Sequence, residues 1–142
     1  MAHKKRAIPW TRPEELERLG EVFLIRVFEL ATRQGSDDVP LLEELGQLYT
    51  RHGLYQKGLL VDLRLVLLRP EEPGFLYNLA CSYALLGRPD AAFRALRRAL
   101  SKGFRDRCLL LTDPDLDPIR SDPRFAPLTR VLDAAPEQRP PE

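Results

Sequence analysis

Apolar residues recur every three or four positions along most of this chain, the spacing of one face of an α-helix. The first such stripe is Leu16, Leu19, Phe23, Val27, Leu30 and Ala31, widened by Leu24 and Phe28, with Val22 and Ile25 nearly opposite. It predicts a helix from Thr11 to about Thr32 or Gln34, ended by Gly35. Thr11 reads as its N-cap, with Pro13 tolerated in the first turn and Glu14 closing a capping box. A helix apolar on most sides is expected to be buried on most sides, so Phe23 and Phe28 read as core rather than as a ligand box. Ser36-Asp37-Asp38 is a turn and cap cluster. After it the periodicity predicts helices over about Pro40 to His52, Tyr55 to Leu68, Phe75 to Leu86 and Pro89 to Lys102. Gly53 and Gly87 each follow an apolar-periodic segment, where a left-handed residue ends a helix at little cost. Pro70 stops the second of these four helices. The expected fold class is all-α.

The stretch from Val39 to Phe104 is self-similar. Leu42 aligns with Leu76, Leu45 with Leu79, Gly46 with Ala80, Tyr49 with Tyr83 and Gly53 with Gly87, each pair 34 residues apart and with no gap. This period and these residue types resemble the tetratricopeptide repeat family, whose unit is a helix–turn–helix of about 34 residues. The first repeat spans 39–72 and the second 73–106, and the resemblance implies a right-handed α-solenoid of helix hairpins that binds another protein. Counting Val39 as position one, the family places a large apolar residue at four, Leu-Gly at seven and eight, Tyr at eleven and Ala at twenty. An aromatic belongs at twenty-four and Pro at thirty-two. The small residues Gly46 and Gly58, or Ala80 and Ala92, would let the two helices of one repeat approach. Two departures stand out: Asp62 replaces the aromatic, and Phe104 replaces the closing Pro. Asp62 is either partly exposed or a buried carboxylate paired with Arg64 or with an Arg on a neighbouring helix, since a buried acid needs a partner.

Beyond Phe104 prolines are too frequent for a further full repeat. Asp113-Pro114-Asp115-Leu116-Asp117-Pro118-Ile119-Arg120-Ser121-Asp122-Pro123-Arg124-Phe125 is similar to a phrase that follows the last repeat in bacterial members of the family. It implies a C-terminal cap over 107–135, matched at the other end by an N-terminal capping helix over 11–35. Asp113-Pro114 and Asp122-Pro123 each read as an N-cap followed by Pro at the first helical position. One or two turns are expected around Leu116 and Ile119, then an amphipathic helix from Pro123 to about Asp133. A stack of repeats leaves an apolar face open at each end, so these flanking segments, or a second copy of the chain, must supply the missing burial. Residues 1–10 read as a disordered basic arm and 136–142 as a disordered, Pro-rich tail.

The resemblance also implies a groove lined by the first helices of the repeats. Its positions fall here on Glu43, Gln47, Thr50 and Arg51, and on Tyr77, Asn78, Cys81 and Leu85. Asn78 carries both a donor and an acceptor and could grip a peptide backbone; its other reading is a solvated helix residue. The carboxylate clamp of chaperone-binding members also uses an Asn at that position. It further needs Lys and Asn where this chain has Glu43 and Gln47, and Glu43 and Glu44 would repel a C-terminal carboxylate, so no clamp is expected. Tyr77, Cys81 and Leu85 point instead to a modestly apolar groove for a helix or extended segment. On the second helix of repeat two, Arg94, Arg97 and Arg98 share a face. They read as a solvated face, or one neutralised by Asp113, Asp115, Asp117 and Asp122, rather than as a nucleic-acid contact, because no aromatic residues interleave them.

The chain's 142 residues suit one domain, and its formal net charge of +1 points to neither nucleic acid nor membrane. Lysine occurs only at Lys4, Lys5, Lys57 and Lys102, a hint of a GC-rich, bacterial genome. The basic start is followed by no apolar segment of a secretory signal, no apolar run is long enough to span a bilayer, and a cytoplasmic location is expected. Cys81 and Cys108 lack metal-ligand spacing and His3 and His52 are isolated, so neither a metal site nor a cofactor is expected. Cys81 would be the only plausible nucleophile, but it lies mid-helix with no evident base. The chain therefore reads as no enzyme but as a protein-binding adaptor, escort or assembly factor. A homodimerising structural module, and a nucleic-acid accessory protein using the Arg face, are the alternatives.

Overall fold

The computed structural model describes residues 12–33 and 35–133, and every regular element among them is helical. They divide into two compact units, one ending at Ser36 and the other beginning at Asp37. The first unit holds one long helix, α1 (Pro13–Thr32). Its N-cap is Arg12, extended and without a side-chain cap, while Glu14 and Glu15 in the first turn complement the helix dipole. Thr11, the expected cap, lies outside the described residues, as do the arm at 1–10 and the tail at 136–142. The expected burial of the α1 stripe is not met. Leu16, Leu19, Phe23 and Leu30 are all more than half exposed. Among its described residues the unit holds no second helix against which the stripe could pack.

The second unit begins with two hairpins, α2 (Val39–Arg51) with α3 (Tyr55–Leu68) and α4 (Pro73–Leu85) with α5 (Pro89–Ser101). The first helices start 34 residues apart, at Val39 and Pro73, and so do the second helices, at Tyr55 and Pro89. Both hairpins turn in the same way. Gly53 and Gly87 take φ of 71° and 67°. Each is followed by a residue whose N–H reaches back five positions, Leu54 to the carbonyl of Tyr49 and Arg88 to that of Tyr83. That is the Schellman closure, which needs a left-handed residue at its centre. Gly103 ends α5 in the same way, its own N–H donating to Leu100 and that of Phe104 reaching back to the carbonyl of Ala99.

Packing runs in chain order, α2 on α3, α3 on α4 and α4 on α5. The core is a continuous set of Leu42, Leu48, Leu65, Leu76, Phe93 and Leu96, all fully buried. Close approach at Gly46 explains its small size: a β-carbon there would stand 3.3 Å from Val61 Cγ1.

The cap starts at Arg107, 34 residues after Pro73, and begins as another helix would: α6 (Arg107–Thr112), its N-terminus capped by Asp106. It breaks at Asp113, extended at φ −65° and ψ 117°, because Pro114 has no N–H to continue the ladder. A 3-10 turn (Pro114–Leu116), α7 (Asp117–Arg120) and α8 (Phe125–Asp133) follow. The freed carbonyls are taken up by one side chain, Arg120, which donates to the backbone oxygens of Leu110, Leu111 and Asp113. The 3-10 turn and α7 lie on α4, and α8 lies on α6, burying Leu110, Leu116, Ile119 and Phe125. Two details differ from the sequence reading. The α6 helix has no counterpart in it, and α8 starts at Phe125 because Asp122 spends its carboxylate on a turn, accepting from the Arg124 N–H at 2.9 Å.

Candidate binding site

One face of α2 presents Glu43, Gln47, Thr50 and Arg51 to a cavity of about 440 Å³. Their spacing of four, three and one keeps them on one side of a helix. Across the cavity α4 contributes Tyr77, Asn78, Cys81 and Ser82, α3 contributes Asp62, and the cap contributes Leu109, Asp113 and Asp115. Seven of the eight groove residues read from the sequence therefore meet in one place. Leu85, half-buried, does not line this cavity.

Two of the seven differ from the surface role expected of them. Tyr77 is 3% and Cys81 6% exposed. The chain's own cap covers them, an arrangement invisible in helical periodicity. Tyr77 stacks on Phe104 with ring centroids 4.4 Å apart and planes 4° from parallel. Its hydroxyl donates to Asp113 Oδ2 at 2.8 Å. The Cys81 thiol lies 3.9 Å from the same oxygen. Burial first, and then the neighbouring thiol and carboxylate, push the Tyr77 phenol well above its usual range. Burial and then the charges of Asp113 and Asp115 do the same to the Cys81 thiol. A thiol held protonated in this way is no nucleophile. With these residues covered, the open part of the groove is polar rather than apolar: Glu43, Gln47, Thr50, Arg51 and Asn78 are the exposed or half-buried members.

Asp62 is 7% exposed, so the partly exposed alternative does not hold, and neither does pairing with Arg64. Arg64 reaches Asp37 instead, at 2.8 Å. The partner of Asp62 is a hydroxyl on the next hairpin, Ser82 Oγ, donating at 2.5 Å to Oδ2. Burial pushes the Asp62 carboxyl up from 3.8 to about 6, partly offset by the Ser82 bond. Asp115 is also raised, by burial and then by the negative charges of Asp113 and Asp117. Four carboxylates, from Glu43, Asp62, Asp113 and Asp115, thus line a cavity whose only basic lining residue, among the described ones, is Arg51. The cap acids have no place in the groove read from the sequence. Their signal is present in the D-P-D phrase, but nothing in the sequence says which way the broken segment folds.

Among the described residues no acid pairs with the Arg face. Arg94, Arg97 and Arg98 are exposed on α5. The acids expected to balance them are engaged elsewhere, Asp113 by Tyr77, Asp117 by Arg120 and Asp122 by Arg124. Among the described residues no group of three or more His, Cys, Asp or Glu side chains is arranged to hold a metal ion. No described helix is long and apolar enough to cross a membrane.

No family profile matches this chain. It is similar to a chloroplastic protein of Arabidopsis thaliana, with 38% identity over 65 residues. That match covers 45% of this chain and 19% of the plant protein, so the chain corresponds to about a fifth of its relative.

Proposed function

We propose that this chain is a protein-interaction module of the tetratricopeptide repeat kind, a short right-handed α-solenoid acting as adaptor, escort or assembly factor. Its groove takes an extended segment of a partner that carries basic side chains. The observation that carries this reading is the open cavity on α2 and α4, with four carboxylates among its lining residues and Asn78 beside them. A guanidinium or ammonium group entering there meets opposite charge, while the Asn78 amide is placed to pair with a peptide backbone. The 34-residue recurrence of both helix starts and of the Schellman turns supports the repeat assignment. Cys81 and Tyr77, protonated and covered, support a binding rather than a catalytic role.

The test is retention of proteins from an extract of the source cells on immobilised wild type and on a Glu43→Lys, Asn78→Ala variant of equal helicity. A protein held by the first and lost by the second supports the groove, and adding free arginine amide should release it. Equal retention by both would move the working surface elsewhere. The exposed Leu16, Leu19, Phe23 and Leu30 stripe of α1 favours a second reading, self-association. Sedimentation would show it as a mass that rises with concentration and falls to the monomer in Phe23→Glu.

A further inference from the structure

Between α5 and α8 lies a second cleft, of about 460 Å³, with a chemistry opposite to that of the groove. Its walls are apolar: Leu100 and Leu128 are buried at its base, and Pro127 and the 55% exposed Val131 stand at its mouth. Its rim is basic. Arg97 borders it directly; Arg94, a turn earlier on α5, lines a separate cleft with Tyr83, Arg88 and Asp90, and Arg98 lies about 100° further round the helix. None of these three arginines forms an ion pair with a described residue. The fourth nearby cation, Arg124, is already committed, to Asp90 at 2.6 Å, to Asp122 at 2.8 Å and to the ring of Phe93 at 4.4 Å. Arg124 therefore closes one side of the cleft, while Arg97 keeps its charge available.

We propose that this cleft docks an acidic segment of a protein partner. One apolar side chain enters between Leu128, Pro127 and Val131, and a flanking carboxylate pairs with Arg97. Charge complementarity selects the occupant, because an unpaired arginine at the edge of an apolar floor is most strongly satisfied by a carboxylate held close to it. An apolar anchor surrounded by charges is also the usual anatomy of a protein contact. A nucleic acid fits less well, since the cleft offers no aromatic surface for a base and its floor excludes phosphate. This surface is distinct from the groove and stands or falls without it.

The test is selection of a phage-displayed random peptide library on the full chain, with Arg97→Glu and Val131→Asp as counter-targets, both checked for wild-type helicity and melting. Sequences with Asp or Glu flanking a large apolar residue should be enriched. The best of them should bind the wild type and lose roughly tenfold or more in affinity to each variant. The Glu43→Lys, Asn78→Ala variant should bind that peptide as the wild type does. Selection of sequences without acids, or binding equal in all variants, would overturn the proposal. So would tighter binding of oligo-dT with a steep salt dependence lost in Arg97→Glu. A concentration-dependent mass lost in Val131→Asp would overturn it too, assigning the cleft to a second copy of the chain.

Discussion

Set side by side at their 34-residue offset, the two hairpins of the second unit are alike where they face helices and unlike where they face solvent. Leu42 and Leu76, Leu45 and Leu79, and Leu65 and Ala99 are buried in both. On the outer side the correspondence ends. Leu60 and Leu67 on α3 are 68% and 82% exposed, and α5 carries Arg94 and Ser101 at the matching positions. Inside, two buried positions break the pattern: the counterpart of Leu96 is Asp62, and the counterpart of Leu48 is Ser82, the hydroxyl that Asp62 accepts from. The comparison teaches that helix-to-helix contacts constrain most inner positions, that outer positions are free to be specialised, and that Asp62 stands against a local energetic preference.

The largest effect is expected from the shared part. Phe93→Ala empties a fully buried site under Arg124 and should lower stability by about 3–5 kcal/mol in urea denaturation. Next comes the exception. The Asp62 carboxyl titrates at about 6 when folded and 3.8 otherwise. Between those values the folded chain holds the extra proton, so stability falls as pH rises from about 4 to about 6 and is level above. Asp62→Asn keeps an acceptor for Ser82 and removes the buried charge. It should flatten that slope and raise stability at pH 7 by on the order of 2–3 kcal/mol.

The glycines sharpen the comparison on a finer scale. A β-carbon at Gly58 meets only ordinary contacts, the nearest being Thr50 Oγ1 at 3.6 Å. Gly58→Ala should therefore stabilise by up to about 1 kcal/mol, through helix propensity alone. Gly46→Ala must displace Val61 and should gain less or lose slightly, a ranking that thermal melts would read directly. Smallest of all, exchanging Leu60 for Arg and Leu67 for Ser, as α5 has them, should change stability by no more than about 0.5 kcal/mol. Its visible consequence would be weaker binding of an apolar dye.

How far the sequence carries depends on the range of the interaction. The α3 limits, Tyr55 and Leu68, and the start of α5 at Pro89 are legible residue by residue, because Pro, Gly and apolar spacing act locally. That Glu43, Gln47, Thr50 and Arg51 share one face of α2 follows from helical spacing, whereas the groove itself comes only with the family resemblance. What escapes is anything set by a distant segment: that Asp62 finds Ser82, and that Asp113 covers Tyr77 and Cys81. The α6 helix escapes too, since Pro114, Pro118 and Pro123 mask a start whose only local sign is the Asp106 cap. For α1 the pattern reads as helical and amphipathic, and the chain there is helical, yet periodicity carries no information on whether a second surface is present to cover it.

The way Arg120 gathers three carbonyl oxygens sets a grammar for this chain. A helix interrupted by proline and closed by one guanidinium gives up its own next turn, so the third helix start, at Arg107, does not open a third hairpin like the first two. Duplicating residues 73–106 in place would give the longer chain the same Tyr and Phe for this segment to clasp. A lineage could lengthen this protein by unequal exchange within its middle and never need to rewrite its ending.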